Sequence, residues 1–188
     1  MESEVAEVTR EQQSSPLFVL TEWAISVGAF RRNRVDATRK VMSAALCNSG
    51  YSYRLVARMV GGMSYVAVRD AYVALVTSLP QERKAFRRTV AIDGVDVVMG
   101  EEIYHLWLAR DVDSGEIMTF QASPGASAED GAKFLASVAA QCENAPLLKL
   151  GSGQNRPKGL LNLDLYFRTV SDQSLFTKLG RFIFGSAS

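Results

Sequence analysis

The stretch that decides the fold is TVAIDGVDVVMGEEIYHLWLARDVDSGEI, residues 89–117. It is rich in β-branched and aromatic residues, and Gly94, Gly100 and the triplet Asp113-Ser114-Gly115 divide it before EIMTFQAS (116–123). Short apolar runs separated by such turn residues predict three consecutive antiparallel strands. Asp93 falls in the middle of the first strand, where a carboxylate needs a reason. Asp96 cannot join it, because side chains three apart on an extended strand face opposite sides of the sheet. SAEDGAKFLASVAAQCE (127–143) then predicts a helix with Ser127 as N-cap and Asp130 three residues on, a shorter relative of the capping box. APLLKL (145–150) reads as a buried strand and GSGQNRPKG (151–159) as a loop. LLNLDLYFRTV (160–170) is extended or partly helical, and SLFTKLGRFIFG (174–185) is a short final helix.

Upstream, the periodicity is helical. Residues 1–15 are polar and predict a flexible tail. LFVLTEWAISVGAF (17–30) has the apolar content of a helix or docking segment ending near Gly28. DATRKVMSAALCNSG (36–50) places Asp36 as N-cap and Gly50 as stop, with Ala37, Val41, Ala45 and Leu46 on one face. In YSYRLVARMVGGMSYVAVRDAYVALVTSLP (51–80), Ser52 and Ser64 can each cap a helix, and Gly61-Gly62 separates the two before Pro80. Two short helices around a glycine turn make a helix-turn-helix pattern, with a turn one residue longer than usual and a plain helical bundle as the alternative. The expected organisation is a tail (1–15), a helical helix-turn-helix DNA-binding domain (16–80), a basic linker QERKAFRR (81–88) and a second domain (89–188).

At 188 residues with 47% apolar and 22% charged residues, the chain can bury a core and has ordinary globular composition. No apolar run reaches membrane-spanning length; Glu22 interrupts the nearest one, which also lacks a signal peptide's flanks. Cys47 and Cys142 stand far apart with a single His105, which suggests neither a disulfide framework nor a zinc site and predicts a cytoplasmic setting. The net charge of +1 conceals a segregation: residues 1–30 carry −4, residues 31–88 carry +9 and residues 89–188 carry −4. A basic block between acidic ones is the footprint of a nucleic-acid-binding unit, or more plainly of a solvated basic helix surface.

Three meander strands, a helix and a parallel strand follow the order of a ribonuclease-H-like α/β mixed sheet with flanking helices. From about Arg39 to Lys178 the chain resembles the short insertion-sequence transposases of archaea and bacteria, in which a helix-turn-helix precedes an Asp-Asp-Glu core. VAIDG (90–94), YHLWLARDVDSGEI (104–117) and ASAEDGAKFLASV (126–138) carry that resemblance. It implies three carboxylates holding two divalent cations for phosphoryl transfer, since Mg²⁺ needs several oxygen ligands. Asp93 matches the first position. LLKLGSG (147–153) puts Leu150 at the second, and VSDQSLFTKLGRF (170–182) puts Thr177 at the third. Asp111 and Asp113 fit an exposed turn, and Asp164 and Asp172 lie near the third segment. The resemblance therefore implies a domesticated core without catalysis, Asp93 being vestigial, with no metal and no cofactor.

The expected function is that of a DNA-binding protein in transcriptional regulation or chromosome organisation, nucleoid-associated in the cytoplasm, with duplex DNA as partner and the core as a platform for a homodimer. The candidates for touching DNA are Arg31, Arg32, Arg34, Arg54, Arg58, Tyr65, Arg69, Arg83, Lys84, Arg87 and Arg88, and Arg69 is the base reader. Asp70 and the apolar Val66 and Val73 on the same helix count against it. They motivate one alternative, a protein-interaction module on a large cellular complex. The other is an active metal-dependent nuclease, which requires a different placement of the second aspartate.

Overall fold

Short apolar runs, broken at Gly100 and at Asp113–Gly115, form three antiparallel strands: β1 (Thr89–Met99), β2 (Glu102–Asp111) and β3 (Ile117–Pro124). The computed structural model describes residues 15–30, 34–79, 84–151 and 155–160. Among the described residues, four helices precede the strands, α1 (Pro16–Ser26), α2 (Ala37–Asn48), α3 (Tyr53–Val60) and α4 (Tyr65–Ser78). After them come α5 (Ala128–Ala140) and β4 (Leu147–Leu150), which pairs parallel with β1 from Thr89↔Leu147 to Ile92↔Leu150. The sheet is mixed, in the order β3-β2-β1-β4. Segments 161–170 and 174–185, like the tail to residue 14, lie outside the described residues.

The helix starts obey local chemistry. Asp36, Ser52, Ser64 and Ser127 each accept a hydrogen bond from the backbone N–H three residues on, that of Arg39, Leu55, Ala67 and Asp130 respectively. At α5 the box closes, since the Asp130 carboxylate also accepts from the Ser127 N–H. Such caps satisfy donors that have no partner within the helix. Between α3 and α4, Gly61 and Gly62 take φ of 64° and 66°, a left-handed conformation that side chains resist, and the two helices meet at 105°.

One apolar core joins helices to sheet. Leu20 and Ala24 of α1, Val41 to Leu46 of α2, Val56 of α3 and Val68 and Leu75 of α4 cluster with Val97, Leu106, Leu108 and Phe120 of the sheet. Residues 41–47 of α2 are all buried, not only one face, because α2 lies between β3 and α4. Its C-terminus also bonds to β3: Asn48 Nδ2 donates to the Phe120 carbonyl at 2.7 Å, and the Ala122 N–H donates to Ser49 Oγ at 3.0 Å. The opposite face of the sheet packs Val90, Ile92, Trp107 and Met118 against Phe134, Leu135 and Val138 of α5. β4 is not a buried strand: Leu147 is 70% and Leu150 42% exposed. Among the described residues it stands at the sheet's edge, and of its leucines Leu148 packs against the α5-side core.

On the α5 side, residues 155–160 lie across the sheet as a strap. The Trp107 indole donates to the Lys158 carbonyl at 2.9 Å, the Lys158 N–H donates to His105 Nε2 at 3.1 Å, and the Lys158 ammonium pairs with Asp96. Gly94 makes room for this strap, because a Cβ there would lie 2.6 Å from Pro157 Cα and 2.5 Å from His105 Nε2. Gly94→Ala should therefore cost about 1–3 kcal/mol through overpacking. Hydrogen exchange at the Lys158 amide should accelerate in that variant; unchanged protection there would show that Gly94 does not seat the strap.

Candidate nucleic-acid interface

α3 and α4 lie outside α2, on which α4 mainly packs, and the end of α3 reaches β1, where Val60 borders Val97 and Val98. Val56 and Val60 of α3 and Val68, Ala71 and Leu75 of α4 turn inward. That leaves Arg54 and Arg58, four apart, exposed on α3, and Tyr65 and Arg69, also four apart, exposed on α4. The Arg54 guanidinium lies over the Tyr65 ring, 5.7 Å from its centroid, which ties the start of α4 to α3. Arg69 bonds its neighbour Asp70 through Nε at 3.2 Å and Nη2 at 2.9 Å.

The remaining candidates separate. Arg34, Lys84 and Arg88 are exposed, and Arg88 pairs with Asp113 at 2.8 Å. Arg31, Arg32 and Arg83 lie outside the described residues. Arg87 does not belong to the surface. It is 6% exposed, with Nη1 2.7 Å from Asp111 and Nη2 3.1 Å from Glu116. At Ala85 and Arg87 the run is docked rather than solvated: the Arg87 N–H donates to the Asn144 side chain, which returns a bond to the Arg87 carbonyl, and Ala85 bridges to Cys142. Asp111 correspondingly is not an exposed turn residue. It is 7% exposed, and although burial opposes its charge, Arg87 and the N–H groups of Ser114 and Asp113 hold its carboxyl below the usual range.

Asp93 sits on the side of the sheet that faces α1–α4, beside the end of β4, where the Gly151 N–H donates to the Ile92 carbonyl at 2.8 Å. A cleft of about 290 Å³ opens there, lined by Ala91, Asp93, Arg110, Lys149 and Leu150 among others. Arg110 Nη2 lies 2.9 Å from Asp93 Oδ2, so the carboxylate's nearest cation is a guanidinium from the adjacent strand. The Leu150 side chain beside Asp93 offers no ligand atom, and no three His, Cys, Asp or Glu side chains converge among the described residues. Thr177 lies outside the described residues.

On the other face, Asp96, His105 and Ser123 stand in register across β1, β2 and β3. Sequence reading missed this row, because strand register carries its only signal. His105 Nδ1 is 2.7 Å from Asp96 Oδ1. Since Nε2 accepts the Lys158 N–H, the neutral ring must carry its proton on Nδ1 and donate it to Asp96. Burial lowers the imidazole's pKa, against the opposing pull of Asp96. With Nε2 occupied and both His105 and Ser123 at most 2% exposed, the row cannot supply a base to a nucleophile. His105 and Asp96 instead hold the strap through Lys158.

Over 155 residues, 81% of this chain and 72% of the relative, the sequence is 26% identical to an uncharacterized protein of the archaeon Methanocaldococcus jannaschii. No family model and no solved structure matches the chain.

Proposed function

We propose that the chain is a DNA-binding protein on a transposase-like framework that has lost cleavage, acting in transcriptional regulation or chromosome organisation. The observation that carries this is the α3–α4 pair: two short helices at 105° across Gly61-Gly62, forming the outer layer with Arg54, Arg58, Tyr65 and Arg69 exposed. In a helix-turn-helix the first helix crosses the phosphate backbone and the N-terminal part of the second enters the major groove. Arg54 and Arg58 have the positions for phosphates, and Tyr65 and Arg69 those for the groove. The order β3-β2-β1-β4 with β1 and β4 parallel supports a ribonuclease-H-like core beneath them. Loss of cleavage is supported by the Arg110 grip on Asp93 and by Leu150 beside it.

Titration of the full chain on labelled duplex DNA should give affinity that falls steeply with salt. An Arg54→Ala, Arg58→Ala variant should flatten the slope of log affinity against log salt by about 0.9 for each phosphate no longer neutralised, alike on all sequences. Binding that ignores salt in the parent would sink the proposal. Incubation with Mg²⁺ or Mn²⁺ should produce no DNA cleavage above that of an Asp93→Ala control, and cleavage that disappears in the control would restore the nuclease alternative.

A second function is favoured by a specific observation. Val66 and Val73 on α4, with Phe18 and Ile25 on α1, are large apolar side chains left 39–53% exposed, the kind of surface a protein partner covers. In that case Val66→Ser would weaken partner capture, and the α3 arginine variants would not.

A further inference from the structure

Val66, Arg69, Asp70 and Val73 follow one another at i, i+3, i+4 and i+7, so they form a single stripe along α4. All four are exposed. Arg69 spends one edge of its guanidinium, Nε and Nη2, on a single Asp70 oxygen, Oδ1. The other edge, formed by Nη1 and Nη2, has no further hydrogen-bond acceptor among the described residues. An exposed pair between chain neighbours adds little to folding. Its consequence is geometric: while the pair is formed, the carboxylate sets the plane in which the outer edge is presented.

We propose that this stripe reads a short base sequence: Arg69 takes guanine, Asp70 is the positioning residue that orients it, and Val66 and Val73 meet thymine methyl groups on either side. The inference rests on the DNA-binding function above and names what that surface recognises. Two parallel N–H groups match O6 and N7 of guanine, and a carboxylate oxygen can accept from the amino group of a cytosine. Apolar side chains meet the thymine C5-methyl in the same groove. Asp70 also repels phosphate, which disfavours every register in which its arginine is not seated on a base and so raises discrimination. The residues that weigh against simple backbone binding thus acquire a role in sequence reading.

The test is selection of preferred sites from randomised duplexes by the full chain, followed by titration of the selected and a scrambled duplex at two salt concentrations. The selected site should contain a G·C pair flanked by A·T pairs. Arg69→Ala should weaken binding to it about 5- to 150-fold and change the scrambled duplex little. Asp70→Asn should tighten binding to the scrambled duplex and shrink the ratio between the two. Val66→Ser with Val73→Ser should relax the preference at the flanks. Circular dichroism melts of each variant confirm that the fold persists. If Arg69→Ala and Asp70→Asn select the same sequence as the parent, the inference fails while DNA binding stands. If the valine variant matches the parent on every duplex but loses a protein partner, the stripe is a protein-docking surface and the inference is wrong. If the parent shows no salt-sensitive binding to any duplex, the proposed function itself fails.

Discussion

Arg87→Ala should destabilise the fold by about 3–5 kcal/mol, the range for removing one partner of a buried ion pair. The loss comes from Asp111, which would remain 7% exposed without its counter-ion, whereas Glu116 keeps access to solvent. Urea unfolding of the parent and variant measures it, and a difference below about 1 kcal/mol would show that the pair contributes no more than an exposed one. A combined Arg87→Met, Asp111→Asn variant should recover part of the loss, because no buried charge is left unpaired and the amide oxygen can still accept from the Asp113 and Ser114 N–H groups. The pH dependence has a definite sign. Asp111 titrates below its ordinary value in the folded chain, so its contribution is complete above the unfolded carboxyl's pKa of about 3.9 and fades as pH falls through the lower, folded value. The gap between parent and Arg87→Ala should therefore be flat at neutral pH and narrow only in acid.

Leu46→Ala should cost about 2–5 kcal/mol, as expected for truncating a fully buried leucine. The more informative outcome is how that loss is shared. Leu46 belongs to the cluster that joins α1–α4 to the sheet, so in a Trp23→Phe background helical ellipticity and the fluorescence of Trp107, a sheet residue, should shift together in one transition. A variant that loses its helical signal while Trp107 stays buried would mean that the helices and sheet are separate folding units.

Local chemistry made much of this fold legible in advance. The four N-caps, the glycine turn at 61–62, the three-strand meander and the helix before the parallel strand all depend on residues a few positions apart. What sequence reading could not supply was partnership over distance. QERKAFRR looks like a solvated basic run, and nothing within it shows that Arg87 meets Asp111 and Glu116, 24 and 29 residues on. The apolar APLLKL suggests burial, but position at the sheet's edge exposes two of its leucines. The same limit hid the contact of Asp96 and His105 with Lys158, which come together through register and the returning strap. At Asp93 the sequence marked the position and left its partner open. Arg110 reads as one more charge near a turn until the strands pair.

The bonds between α2 and β3 bear on assembly. A sheet that extends by pairing between molecules needs two receptive edges, one to receive a strand and one to offer the next. On β3 the outward Phe120 carbonyl is taken by Asn48, the Ala122 N–H by Ser49, and Pro124, two residues further, has no N–H to give. Two polar side chains at the end of one helix thus occupy part of the edge on which β3 would otherwise receive a strand from another molecule.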